Sequence, residues 1–383
     1  MSYQHVASLE DAGPLRADLA GVRRLALDCE AAGFHRYSDR LCLLQLTTER
    51  ATYVIDPLGW DPSDLLRGPL EDPAVEIDMH GADFDLRLLR RDLGIELRGL
   101  FDTQIAAQLT GEESVGLAAL LESRLDVKLS KKYQRADWAE RPLTDGMLDY
   151  AADDTRYLLR LSDIMRAELQ EAGRTAWAEE ECRALEQAAG TVSEAQEPED
   201  PVVRVKGARK LSTRQVAALR TALEWRDEIA RRWDKATFRV VGDGPLIEAV
   251  ATQPLHVRDL TAIKGFPGRL ASEEGGALLE RLDRIALAPD EELRPYPKGP
   301  RQGPGRASPE VEALAERLKN VRNRRADELG LPRGTLLANA VVLEIARAAP
   351  TSMQELAQIE GMRSWKTDAV GEEMLALIRA ATR

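Results

Sequence analysis

The sequence predicts a mixed α/β domain, a sheet with flanking helices, followed by two all-α helical bundles. Three observations carry that expectation. The first 80 residues hold four segments rich in Val, Ile, Leu and Thr that read as strands. Helical periodicity sets in after them, and the strand signal fades beyond residue 200. Residues 226–266 also match residues 322–362 without gaps, at a constant offset of 96.

The expected strands are VRRLALDC (22–29), RLCLLQLTT (40–48), ATYVI (51–55) and VEIDMH (75–80). ADFDLRLLRRDLG (82–94) follows, with leucines at 86, 89 and 93 on one helical face and Gly94 as a stop. DTQIAAQLT and VGLAALLESRL are shorter helical stretches. A long helix is expected from Thr144, an N-cap, to Gly173. Strands first and helices interleaved later imply a mixed sheet covered by helices. The acidic stretch at 174–201 reads as helix running into a linker.

In the repeat, Arg226 pairs with Arg322, Glu248 with Glu344, Pro254 with Pro350, Leu260 with Leu356 and Gly265 with Gly361. One supersecondary unit therefore occurs twice. Ser212 with Gln215 spells a capping box, and Ser308 followed by Pro309 is a second helix start. Trp225, Ile229 and Trp233 fall on one helical face and read as core. PYPKGPRQGPGR (295–306) separates the copies and is a linker by composition. The expected layout is a domain at 1–172, a helical acidic linker at 173–207, a module at 208–290, a Pro/Gly-rich basic linker at 291–307 and a second module at 308–383.

The chain has 383 residues, 44% hydrophobic and 31% charged. No apolar run is long enough to span a bilayer, and the N-terminus lacks a signal-peptide pattern. Cys29, Cys42 and Cys182 form no CxxC pair, so neither a disulfide framework nor zinc is expected. The expectation is a cytoplasmic protein, with no membrane partner and a monomer favoured. The net charge of −12 is unevenly spread: residues 168–201 carry −8 and residues 204–239 carry +7. Phosphate contacts respond to local potential, screened within about 10 Å at 0.1 M salt, so an acidic total does not exclude a nucleic acid.

Asp28 and Glu30 lie two apart on a strand and face the same side. Asp85 follows a strand near a helix start, where a carboxylate is favoured even without a ligand. Tyr150 and Asp154 lie four apart on one helical face, with Asp153 about 100° away. Each motif alone reads equally as a solvated strand end, a helix-start acid or a core tyrosine. Together they offer converging carboxylates without His or Cys, a donor set for hard cations such as Mg²⁺ or Mn²⁺. His80 reads as a structural hydrogen-bonder and stays outside the site.

The three motifs resemble the DEDD exonuclease superfamily: D-x-E, an Asp after a strand, and an Asp preceded by Tyr. Tyr150 stands four residues before Asp154, and no histidine lies nearby, which matches the tyrosine subclass. FDTQIAAQLTG (101–111), GLAALLE (116–122) and KKYQRADWAERPLTDGMLDYAADDTRYL (131–158) resemble the ribonuclease D family, and the repeat resembles two HRDC modules. The resemblance implies a ribonuclease-H-like fold and a 3′→5′ exoribonuclease acting on tRNA precursors and other small RNAs with a free 3′ end. It implies two divalent ions, Mg²⁺ or Mn²⁺, held by Asp28, Glu30, Asp85 and Asp154, with Tyr150 bonded to the nucleophile.

Lys131, Lys132, Gln134, Arg135 and Arg141 form a basic loop before the third motif that is expected to grip RNA phosphates. Tyr133 and Trp138 are candidates for base stacking, with a core role for Trp138 equally open. Arg226 and Arg322 head the candidates for RNA contact in the modules. No GxxxxGK[ST] occurs, so neither a helicase motor nor a nucleotide cofactor is expected. The rival readings are a 3′→5′ DNA exonuclease and a catalytically inactive RNA-binding protein.

Overall fold

The computed structural model describes residues 3–190, 200–297 and 307–381. Lys298, Arg301 and Arg306 of the expected basic linker lie outside those residues. The strands are β1 (Tyr3–Val6), β2 (Arg24–Ala31), β3 (Leu41–Thr47), β4 (Thr52–Ile55), β5 (Glu76–Met79) and β6 (Leu100–Asp102). They form one sheet in the order β1-β4-β3-β2-β5-β6. β3 runs antiparallel to β2 and β4, and the other pairings are parallel. β1 and β6 were not expected as strands. YQHV has no apolar alternation, and LFD is three residues long at the head of a helical pattern. Only pairing with β4 and β5 makes them strands.

The helices of this domain are α1 (Gly13–Leu19), α2 (Ser63–Glu71), α3 (Asp83–Leu93), α4 (Thr103–Thr110), α5 (Leu117–Leu125), α6 (Asp145–Arg156), α7 (Leu158–Glu171) and α8 (Thr175–Gly190). Leu25, Leu27, Leu44, Leu46 and Ile55 fill one side of the sheet against residues of α1, α2, α3 and α8. The other side carries Leu43 and Val54 against α6, and Ala26 against residues of α4, α5 and α7.

The long helix expected from Thr144 to Gly173 is two helices. Thr144 does cap the first, accepting from Met147 N at 3.3 Å. The break falls at Tyr157, with φ −107° and ψ −2°. α6 lies over β3 and β4, and α7 packs on α4 and α5 and reaches β5. The two halves thus pack on different partners, α6 on the sheet and α7 mainly on other helices. Thr155 is fully buried and bonded to Thr47 on β3 at 2.8 Å, which pins the end of α6 before the break.

The stretch read as helix running into a linker opens with the helix α8, whose Cys182 and Ala189 are buried in the core of the sheet. Its acids do structural work. Glu180 accepts from Ser364 N at 2.7 Å at the start of the last helix, where a negative charge opposes the helix dipole. Trp177 stacks on Trp365 with ring centroids 4.5 Å apart.

Beyond α8 the chain is helical: α9 (Thr213–Trp233), α10 (Thr237–Val240), α11 (Asp243–Thr252), α12 (Val257–Ala262) and α13 (Gly268–Leu287), then α14 (Pro309–Leu329), α15 (Arg333–Leu336), α16 (Asn339–Ala348), α17 (Met353–Ala357) and α18 (Ser364–Ala381). All five helices of the first module, α9 to α13, begin 96 residues before their counterparts α14 to α18, as the repeat requires. Ser212 forms the expected capping box, and Ser308 accepts from Val311 N.

Arg226 and Arg322 occupy equivalent places and do equivalent work, which corrects their expected RNA role. Arg226 donates to Val241 O at 3.1 Å and to Asp243 at 2.7 Å. Arg322 donates to Leu337 O and to Asn339 at 3.1 Å, 96 residues later. Both are turned inward, and Arg322 is buried. Each ties the long first helix of its module to the start of the third.

The modules meet the sheet domain differently. The second shares its core with α4, α5 and α7, so Leu120 and Leu161 belong to one apolar cluster with Leu318, Ile345 and Trp365. Gly111 makes this approach possible, because a Cβ there would collide with the Gly330 carbonyl. The first module docks on the β2–β3 loop through polar contacts. Tyr37 donates to Asp227 at 3.0 Å, and Ala236 N donates to His35 O at 3.0 Å.

Replacing Arg322 by Ala strands the Leu337 carbonyl and Asn339. The expected loss is about 1–3 kcal/mol of stability, read as a lower urea midpoint. A variant of wild-type stability with weakened RNA binding would return Arg322 to the RNA surface.

Candidate active site

Asp28 and Glu30 lie on β2, a central strand, and point to the α6 side. Asp154 comes from α6. One carboxylate oxygen from each of the three lies within 4.8 Å of the others. Asp85 sits in the first turn of α3, buried, and is not part of that trio. It is close enough that the Asp28 charge raises its pKa. The structure thus brings the three segments together.

The neighbouring acids separate cleanly. Asp153 is paired with Arg156, and Asp83 with Arg87 at 2.7 Å. Neither joins the cluster. His80 bonds to Thr103 at 2.9 Å, a structural contact.

Electrostatics state how unfavourable the arrangement is without a cation. Burial pushes Asp28 up to about 7. Burial, then the Asp28 and Asp153 charges, push Asp154 up to about 8. Burial and neighbouring carboxylates carry Glu30 and Asp85 well above the usual range. No cationic side chain forms an ion pair with Asp28, Glu30, Asp85 or Asp154 among the described residues. Crowded, largely enclosed, all-oxygen donors without a counter-charge fit a hard divalent ion, and Asp28, Glu30 and Asp154, half-buried, with the buried Asp85 would hold it.

Tyr150 stands one turn before Asp154, half-buried against Trp138 (6.0 Å) and Tyr133 (6.2 Å). Burial, then the Asp154, Glu30 and Asp28 charges, raise its pKa, so its hydroxyl stays protonated. Trp138 is buried core, which settles its role against stacking on bases.

Two anchors position these groups. Asp102 caps α4 and also accepts from Gly81 N (3.0 Å) and Ala82 N (2.8 Å), fixing the turn that leads to Asp85. Arg141 grips Asp56 with two bonds (2.6 and 2.8 Å) and the Cys42 carbonyl (3.0 Å). That corrects its expected RNA contact: its guanidinium holds the 131–141 loop to the sheet. Lys131, Lys132, Gln134 and Arg135 remain exposed.

Gln45 was not singled out from the sequence. It pairs directly with Asp28 across β2 and β3, on the same face, and is fully buried with neither amide atom bonded within the protein. Opposed side chains in such a pair lie about 5 Å apart at Cβ. Only its place beside Asp28 marks it, and no local pattern reports that.

Carboxylates from a strand, a strand-to-helix turn and a helix, with a tyrosine one turn away, define the class of 3′→5′ exonucleases that cleave phosphodiesters with divalent ions. The 3′-5′ exonuclease family profile matches residues 3–170, and the HRDC domain profile matches residues 215–282 and 311–378. Ribonuclease D of Pseudomonas paraeruginosa is 30% identical over 362 residues, covering 93% of this chain and 92% of that protein. The crystal structure of Escherichia coli RNase D, described as an exoribonuclease involved in structured RNA processing, aligns with a TM-score of 0.70 at 26% identity, over 99% of both chains. A protein from Bifidobacterium adolescentis aligns with a TM-score of 0.82 at 25% identity, over 98% of this chain and 97% of that one. The chain belongs to the ribonuclease D family and is an exoribonuclease.

The raised carboxylates make stability depend on pH. Without divalent ions, folded Asp28 and Asp154 keep protons up to about 7 and about 8, whereas the unfolded chain releases them near the usual 3.8. The folded state then binds more protons, so stability falls as pH rises through that window, by at most about 1.4 kcal/mol per pH unit per group. Melting in EDTA should drop between about pH 4 and pH 8, and Mn²⁺ should flatten the drop by favouring deprotonated ligands. Asp154→Asn should reduce the slope in EDTA. A slope identical to wild type in that variant would contradict the crowding.

Proposed function

We propose that the protein hydrolyses RNA one nucleotide at a time from a free 3′ end, releasing nucleoside 5′-monophosphates. Structured small RNAs, tRNA precursors among them, are its substrates. The observation that carries this reading is the Asp28, Glu30 and Asp154 trio within 4.8 Å, with Tyr150 one helical turn away.

Asp28, Glu30 and Asp154 would hold one divalent ion, and Asp28 with Asp85 a second, Mg²⁺ or Mn²⁺. When bound, such ions acidify the attacking water and neutralise charge on the phosphoryl oxygens. That supply explains why the site needs no histidine base. Tyr150 keeps its proton, so it acts by hydrogen bonding: its hydroxyl orients the nucleophile and does not abstract a proton. Trp138 and Tyr133 fix the ring that carries it. The β2 backbone holds Asp28 and Glu30 at a fixed separation, which limits the reorganisation needed during the reaction.

The test is a time course on 5′-labelled single-stranded RNA with a short 3′ trailer, with Mg²⁺ or EDTA. The expected result is a ladder shortening by single nucleotides, abolished by EDTA. Asp28→Ala and Asp154→Ala should lose more than about a hundred-fold in kcat. Tyr150→Phe should lose about a hundred-fold with little change in KM, since only an orienting bond is removed. Near-normal turnover in Asp154→Ala would overturn the site. Faster degradation of a matched DNA strand would move the substrate to DNA.

A further inference from the structure

We propose that Phe34, Phe238, Arg239 and Arg135 form a binding patch for single-stranded RNA, gripping the strand upstream of the 3′-terminal nucleotides. The proposal rests on the exoribonuclease reading and adds a site to it.

The patch lies where the first module meets the sheet domain. Phe34, in the β2–β3 loop, is 41% exposed, and Phe238, on α10, is 53% exposed. Their ring centroids are 5.7 Å apart. Two solvent-facing aromatic rings from different domains, side by side, make an apolar surface that water solvates poorly.

Cations surround the rings. Arg239 lies 4.7 Å from the Phe34 centroid and 5.9 Å from that of Phe238, and Arg135 lies 5.6 Å from Phe34. Neither arginine has a carboxylate within ion-pair reach among the described residues. Their neighbours do: Arg36 pairs with Asp137, Arg231 with Asp227 and Arg232 with Glu274. In a chain of net charge −12, arginines without acids beside exposed rings are selective for an anionic, aromatic ligand. A single strand of RNA supplies both phosphates and base faces.

The location suits the substrate's path. Phe34 is four residues past Glu30, a reach of at most about 14 Å. The 131–141 loop touches both places: Tyr133 packs on Tyr150, and Arg135, two residues on, covers Phe34. Lys132, the residue before Tyr133, lies 4.9 Å from its ring. The patch is also braced. His35 Nε2 bonds to Arg135 O at 2.8 Å, and Arg239 Nε donates to Phe34 O at 2.7 Å. Arg239 is thereby aimed, and its Nη1 has no acceptor among the described residues. Stacking and phosphate contacts carry no base code, so the patch takes any sequence.

The experiment uses the full chain and two unstructured RNAs, a dinucleotide too short to reach the patch and a 12-mer that covers it. Phe238→Ala should raise KM for the 12-mer about ten-fold, with dinucleotide kinetics within about two-fold of wild type. Phe238→Trp should restore the 12-mer KM, and Phe238→Leu should not, because the ring and not its apolarity is required. Arg135→Gln should lower the slope of log KM against log salt by about 0.7. Leu287→Ala, an 86% exposed site on the same module, should change neither substrate. Wild-type KM for the 12-mer in Phe238→Ala, or an equal loss on both RNAs, would overturn the patch. Should the wild type cleave neither RNA, the exoribonuclease reading fails. Anisotropy of a labelled 12-mer in EDTA then decides the patch alone, a ten-fold weaker Kd in Phe238→Ala supporting it and an unchanged Kd overturning it.

Discussion

Mutual repulsion among carboxylates is the constraint that organises this molecule. Asp28, Glu30 and Asp154 hold oxygens within 4.8 Å of each other, with Asp85 near enough to feel Asp28. No ion pair among the described residues relieves them. The chain opposes that repulsion with rigid backbone. Two of the acids sit on β2 where it pairs with β3, just beyond the residues of that strand that pair with β5. The third sits on a helix pinned by Thr155 to Thr47, and the fourth follows a turn clamped by Asp102. A cluster so held is unfavourable by itself, and bound divalent charge would offset that repulsion.

Tyr150 depends on the same constraint. Burial and three carboxylates keep its proton on, so the crowding of the acids also leaves the tyrosine hydroxyl as a hydrogen-bond donor. Arg141 shows how far the support extends. A basic side chain in the loop nearest the site is committed to Asp56 and backbone carbonyls, holding the loop that carries Trp138 and Tyr133 against Tyr150.

The two modules repeat a fold without repeating a role. Inside each, an arginine at the same register ties the first helix to the third. Outside, they diverge. The second extends the apolar core of the sheet domain and is bound by burial. The first meets a loop that leaves the active-site strand, through ion pairs and hydrogen bonds that leave aromatic and cationic groups facing water. An apolar interface stabilises by burial, and a polar one beside the site leaves surface for a ligand.

Much of this was legible in the sequence, because it depends on local order. The period of two along LALDCE puts Asp28 and Glu30 on one face, the period of 3.6 pairs Tyr150 with Asp154, and the offset of 96 declares the repeat. What tertiary structure alone decided are the relations between distant segments. β1 and β6 are strands because β4 and β5 offer them partners. The long helix breaks at Tyr157, between a half packed on β3 and β4 and a half packed on α4 and α5. The acidic run at α8 caps another helix, and Arg226 and Arg322 turn inward to carbonyls. Gln45 lies beside Asp28 by strand register, and Phe34 meets Phe238 across 204 residues of chain. A side chain's neighbours in sequence set its direction, but the partners that satisfy its charge or cover its surface come from elsewhere in the chain.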